Sequence, residues 1–286
     1  MPPRGPSVEI RICRVALDSI GCGRRHQVVN EHVMKILAIR SLVLSVLWIT
    51  LNLPSSVLAQ LPGGGQTGVN AALLKLFADF PAFTSKADLR VYDRDTKEPM
   101  TMQVDFSMLD GQVRMDLDMT TLKSKQIPAQ TVATFKAAGL DKVVTILRPQ
   151  RKSAVITYPS IKAYVEMPLA PEEAADMSRE YKVEKTKAGR ESIDGQPCDK
   201  TKVILTDNSG DRHEAMVWYN PALKNFPVKI QMDQKQMSVV MQYRDVRLAR
   251  PDQRQFEAPV GFTKHPSNEA LMQSAMLKAF GGPNKK

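Results

Sequence analysis

The sequence predicts an α+β fold, mainly antiparallel β, in which about eleven strands form an unclosed half-barrel under a helical lid. Three observations carry this. Apolar residues alternate with period two through most of the second half of the chain. Tight-turn pairs join successive runs, as antiparallel neighbours require. Helical segments interrupt the strands only between groups of them, so the strands read as meanders rather than as parallel crossover units.

The elements follow in order. Val69 to Phe80 carries apolar residues at helical spacing and stops at Pro81. Ala87 to Asp93 is a short first strand. In "MTMQVDFSML" Met100, Met102, Val104, Phe106 and Met108 share one side. Asp110-Gly111 follows, and then "QVRMDLDM" puts Val113, Met115, Leu117 and Met119 on one face, a hairpin signal. Pro128 to Gly139 reads as a helix with a glycine stop. "KVVTILRP", "SAVITYP" and "AYVEMP" are strands. "APEEAADMSREY", a proline followed by acids, starts a short helix. "KVEKTKAGRESI", "CDKTKVILTD", "RHEAMVWY", "FPVKIQMDQ" and "MSVVMQYRDVRL" are the remaining strands. Turn signals at Asp194-Gly195, Asn208-Ser209-Gly210 and Asn220-Pro221 separate several of them. "NEALMQSAMLKAF" is an amphipathic helix ended by Gly281-Gly282.

Upstream, Met34 opens a secretory signal: Lys35 and Arg40, an apolar core from Ser41 to Leu53, Pro54, and Val57-Leu58-Ala59 before Gln60. A membrane anchor needs about 20 apolar residues, more than this run offers. The expected organisation is therefore an extension over 1–33 ahead of the true start, a signal peptide over 34–59 cleaved after Ala59, a flexible leader over 60–68 and one domain over 69–286. Gln60 is not a lipid-attachment cysteine. Cys13 and Cys22 precede Met34, so Cys198 would be the mature chain's lone thiol, with no internal disulfide. The formal charge is +10 on 286 residues, and the charges are interspersed. Nucleic-acid binding wants a basic stripe, so no nucleic-acid partner is expected.

The apolar faces are rich in methionine. Met102, Met108, Met115, Met119, Met232 and Met241, joined by Phe106, Trp218 and Ile230, are the candidate ligand-lining residues. Methionine is unbranched and polarizable, so it repacks around irregular apolar shapes. An adaptable cavity for an acyl chain is one reading. A core filled by side chains is the other.

Catalytic signals are weak. His213 and His265 are the histidines available to Cys198, and no protease-like local signature surrounds them. Gly-x-Ser-x-Gly, His-Glu-x-x-His, a phosphate loop and Cys-x-x-Cys are missing. Asp93, Asp95 and Glu98 lack the glycine and closing glutamate of a calcium loop. No enzyme, cofactor or metal site is expected. Arg148, Arg151 and Lys152 suit either lipid headgroups or a charged turn. Strict alternation puts Cys198 on the side of Lys200 and Lys202, unless a bulge near Pro197 turns it inward.

"AMVWYNPALKNFPVKIQM", with Val217, Trp218, Tyr219, Asn220, Pro221 and Pro227, resembles the strand–turn–strand of the outer-membrane lipoprotein-carrier superfamily. "IDGQPCDKTKVIL" resembles the preceding strand in an uncharacterised branch of it. The resemblance implies a half-barrel with a helical lid over a hydrophobic cavity. It further implies a periplasmic, monomeric carrier or chaperone for a lipid or lipoprotein acyl chain. The alternative is an envelope structural or stress-sensing module with a filled core, which recognises another envelope protein. On the carrier reading the helices at 69–80, 128–139 and 268–280 would gate access.

Overall fold

The computed structural model describes residues 71–93, 99–125, 127–233 and 237–281. The signal peptide, the upstream extension, the leader and the acidic turn at 94–98 lie outside them. Helix α1 (Ala71–Lys75) continues as single turns to Phe80, where Pro81 stops it. Strands β1 (Ala82–Asp93), β2 (Pro99–Leu109) and β3 (Gln112–Asp118) follow, then α2 (Ala129–Ala137). Next come β4 (Lys142–Arg148), β5 (Ser153–Tyr158), β6 (Ala163–Pro168) and α3 (Pro171–Ser178). The chain continues with β7 (Tyr181–Ile193), β8 (Gln196–Asp207), β9 (Arg212–Asn220), β10 (Phe226–Asp233) and β11 (Met237–Arg247). It ends with β12 (Thr263–His265) and α4 (Asn268–Phe280).

All the strands form one 12-stranded sheet in the order β12-β6-β5-β4-β3-β2-β1-β11-β10-β9-β8-β7. The edges β12 and β7 do not pair with one another, so the expected unclosed half-barrel is what forms. Its centre is where the chain's first strand meets a late one, β1 against β11. Two details differ from expectation. The strand over 87–93 begins at Ala82, five residues earlier than the alternation suggested; Ser85, buried on the apolar face, masks the pattern. And β12 is an extra strand that runs parallel to β6.

Turn chemistry explains the hairpins. Asp110 (φ 49) with Gly111 (φ 80), and Asp194 (φ 49) with Gly195 (φ 77), both have positive φ at the two central positions. That is the two-residue turn whose twist matches the strands.

Residues directly paired across neighbouring strands share a face. Thr201, Val217, Ile230, Met241, Leu89 and Met102 therefore form one row across the concave face. Phe106, Met115 and Thr145 continue that face. Phe77 of the α1 segment sits at one end, with ring centroids 5.2 Å from Phe83, 5.7 Å from Phe226 and 5.4 Å from Tyr243. Ala174 and Met177 of α3 pack against the same core. Over β4 to β6 the face is closed by α4, whose Leu271 and Ala275 are buried with Val143, Tyr158 and Val165. Ser267 caps α4, its hydroxyl oxygen accepting the Ala270 N–H at 3.1 Å.

Helix α3 joins the expected set through Ala174 and Met177. Helix α2 has no fully buried residue, and its partly buried Phe135 packs against the same cluster as α4.

The convex face is partly covered too. The turn at Gln253–Phe256 lays Phe256 over Leu109, Val144, Ile146 and Val155. This is why β4 reads as a continuous apolar run: both its faces are covered. Arg148, 2% exposed, is held beside this strap by Glu166 and by Glu257 at 3.4 Å. Arg151 pairs with Glu257 at 2.7 Å and Lys264 with Glu166 at 3.0 Å. Arg148 and Arg151 are therefore committed to pinning the strap, which settles the charged-turn reading over the headgroup one for these two.

A second polar knot closes the β8–β9 turn. The buried Asp207 carboxylate accepts the Ser209 hydroxyl at 2.7 Å and the Ser209 and Asp211 N–H groups at 2.9 Å each, and it pairs with Arg179. These donors, the Ser209 hydroxyl foremost, lower its pKa from 3.8 to about 2. Because the folded value is the lower one, the stabilisation is complete above pH 3.8 and disappears as the pH falls through about 2. Acid titration of unfolding should show this slope, and Asp207→Asn should flatten it. An unchanged slope in that variant would show that the carboxylate is not the source.

Candidate functional site

The candidate site is the concave face, and most of the residues nominated from sequence converge on it. Met102, Met241 and Ile230 belong to one paired row, with Leu89 between the two methionines. Met232 pairs with Val239, which pairs with Val91 and so reaches Met100. Phe106 and Met115 face each other on β2 and β3, and Met108 faces Val113. Met119 is buried just past β3, its N–H bonded to the Asp141 carbonyl at 2.8 Å.

Trp218 is the exception and corrects the nomination. It pairs with Lys200 and Lys229, in the convex row that includes Gln242 and Asp88. Its face is opposite that of Val217 and Ile230. The indole is nonetheless only 2% exposed. Lys200 and Lys229 lie over the ring at 5.0 and 4.2 Å, and its N–H donates to Glu191 at 2.8 Å. The β7–β8 hairpin produces this cover. Its tip residue Asp194 accepts two hydrogen bonds from Gln242 on β11 at 2.9 Å, so the tip crosses the convex side of β9 and β10. A register shift between Lys187 and Gly189, with Gly189 at φ 114, bends β7 for that crossing. Hydrophobicity made Trp218 look inward; the fold buries it under its own hairpin instead.

Cys198 lies under the same tip. It keeps the parity of Lys200 and Lys202, and the bulge that bends the hairpin is in β7, not at Pro197. The thiol contacts the Gln196 carbonyl at 3.5 Å, and burial raises its pKa. His213 pairs with Leu205 at the far end of β8, roughly 20 Å away at about 3.3 Å per residue. His265 is on β12, at the other edge of the sheet. No thiolate–imidazole pair can form. Native protein at neutral pH should alkylate Cys198 slowly, and denatured protein within the usual time for a free thiol. Equal rates would contradict its burial.

The face has two chemically distinct ends. At the α1 end Phe77, Phe83, Phe106, Phe226 and Tyr243 pack ring against ring. Tyr243 is 2% exposed, and among the described residues its hydroxyl donates to the Met241 sulfur alone, at 3.5 Å. Burial pushes its pKa up. The Ser85 hydroxyl, also buried, has no hydrogen-bond partner among the described residues. At the other end the methionines gather, and Met100, Leu122, Met237 and Val239 are only partly buried against the core. There an open depression of about 750 Å³ is formed by Pro99, the segment from Thr120 to Lys125, and Ile127, Ala129 and Val132. Period-two reasoning identified the methionines because β2, β3, β10 and β11 are regular. It overlooked Phe83, hidden by Ser85, and Tyr243, although the latter shares the parity of Met241. The role of Phe77 arises from tertiary closure, which periodicity does not report.

The described residues hold no group of three or more His, Cys, Asp and Glu fit for a metal, and no described helix is long and apolar enough to cross a membrane.

No family model matches the chain, and no curated protein does. Solved structures do. The chain is similar to the Mycobacterium tuberculosis lipoprotein LppX, with a TM-score of 0.34 and 10% identity over 62% of this chain and 93% of that one. It is similar to the LolA superfamily protein NE2245 of Nitrosomonas europaea, with a TM-score of 0.29 and 13% identity over 65% and 96%. MucB of Pseudomonas aeruginosa, solved in complex with MucA, gives a TM-score of 0.33 and 13% identity over 66% of this chain and 60% of that one.

Proposed function

We propose that the chain is an exported, periplasmic, non-covalent carrier or chaperone that receives a hydrophobic ligand, an acyl chain of a lipid or lipoprotein, on the concave face of the half-barrel. The observation that carries the proposal is the contrast between the two ends. The aromatic end is sealed, while Met100, Leu122, Met237 and Val239 leave the methionine end partly exposed beside an open depression. A solid structural core has no reason to leave that much apolar side chain uncovered. An acyl chain entering there exchanges water for thioether and aliphatic contacts, at about 0.8 kcal/mol per buried CH₂. Unbranched methionines yield to its shape at little rotameric cost. No covalent step is needed.

A second reading is a filled module that recognises another envelope protein. The ring cluster around Phe77 favours it, because that part of the interior has no room for a guest. One experiment separates the two. The protein is purified from its native envelope, extracted for lipid, and titrated with a fluorescent fatty acid. The carrier reading expects co-purifying lipid or saturable binding that strengthens with chain length. Neither, from folded protein, would leave the module.

A further inference from the structure

The depression at the methionine end has a chemistry of its own. Leu122, Ile127 and Val132 make an apolar wall, and Leu122 also packs against the main core, so the depression is continuous with the methionines. Helix α2 contributes Ala129 and Val132 to this wall, neither of them fully buried, while its Phe135 packs on the cluster beneath α4. Lys123 and Lys125 stand at the rim, and among the described residues no Asp or Glu lines the space. Lys123 is fixed through its main chain, exchanging 2.9 Å hydrogen bonds with Thr101 at the start of β2. Its side chain therefore projects from an anchored point. The acid just behind, Asp118, is occupied by the Thr120 hydroxyl and N–H and lies in the field of Lys142 and Lys136. The local sign is positive.

A depression of about 750 Å³ is within the usual range for a small-molecule site. An apolar trough with a cationic rim suits a molecule with one apolar and one anionic end. We propose that this depression binds a single anionic amphiphile, with its carboxylate or phosphate at Lys123 and Lys125 and its chain along Leu122, Ile127 and Val132 towards Met100. The proposal rests on the hydrophobic-ligand reading and adds to it the headgroup class and the point of entry.

The test compares dodecyl phosphate, dodecyltrimethylammonium and inorganic phosphate by calorimetric titration below micelle formation, on wild type and on Lys123→Glu/Lys125→Glu. Both lysines are exposed, so the double variant should fold; Lys123→Gln/Lys125→Gln is the milder second variant. Wild type should bind the alkyl phosphate about tenfold more tightly than the alkylammonium, a preference that weakens with salt. Each added methylene should tighten binding roughly fourfold. The Glu pair should abolish or invert the headgroup preference, and the Gln pair should reduce it. Equal affinity for both headgroups, with chain-length dependence kept, would overturn this proposal and leave the hydrophobic-ligand reading standing. Inorganic phosphate binding as tightly as dodecyl phosphate would overturn it in favour of a bare anion site. No binding of either amphiphile would remove both. A preference that survives in the double variants would place the headgroup elsewhere and overturn it too.

Discussion

Phe77→Ala is expected to lower unfolding stability by about 3–5 kcal/mol, the range for truncating a buried phenylalanine where the gap cannot collapse. Phe77 is 1% exposed and makes a tilted contact with Phe83 at 5.2 Å, a stacked one with Phe106 at 5.9 Å and an edge contact with Tyr243 at 5.4 Å. With Phe80, which touches Phe226 at 5.1 Å, it comes from outside the sheet, on a segment with little regular helix of its own. Its loss therefore opens a cavity and also frees the α1 segment from the concave face. Denaturant unfolding measures the first effect. The second has its own signature: if the aromatic end is a plug over a ligand face, binding of a fluorescent acyl probe should rise in the variant despite its lower stability. A loss below about 1 kcal/mol, the ordinary level for a surface change, would mean that Phe77 does not close the core. Reduced stability with no gain in binding would favour the filled module over the carrier.

How much of this was legible in the sequence depends on what each signal measures. Hairpins with two-residue turns were plain, because Asp110-Gly111 and Asp194-Gly195 supply both positive φ values locally. The methionine face was plain for the same kind of reason: in β2 and β3 one face is solvated, so polar and apolar residues alternate. Local signals failed where a second layer arrives from far along the chain. Val144, Ile146 and Val155 look like an interior feature, but they are the outer surface under Phe256. Trp218 and Cys198 look like an inward anchor and an outward thiol, and a bent hairpin buries both on the convex side. In turns of another kind the backbone conformation was not legible, even where Asn220-Pro221 marked the turn itself. Pro149 to Lys152, Pro159 to Lys162 and Pro221 to Lys224 each make a short 3₁₀ turn that ends with a lysine in the left-handed region, where turn rules expect glycine or asparagine. For the site the division is similar. Composition pointed to the apolar lining, whereas no pattern in "AQTVATFKA" announces that α2 borders an open depression.

The strap on the convex face should show a strong asymmetry between its two charge types. Arg148 has a side chain only 3% exposed, while Glu166 and Glu257 are 35% and 37% exposed. Its Nε has no hydrogen-bond partner among the described residues, so the guanidinium depends on the carboxylates for compensation. The acids do not depend on it in return, since Lys264 serves Glu166 and Arg151 serves Glu257. Those same cations are the leading cause of the lowered carboxyl pKa values. Removing the acids together, as Glu166→Gln/Glu257→Gln, strands a buried cation and is expected to cost about 3–5 kcal/mol. Replacing the cation instead, as Arg148→Met, keeps most of the stem's packing and leaves each acid with a partner, so its cost should be about 1 kcal/mol or less. The triple variant should recover most of what the double loses, which a mutant cycle would register as a large favourable coupling. Equal losses from the two single-sided changes would show that the guanidinium is solvated after all, and that Phe256 alone holds the strap.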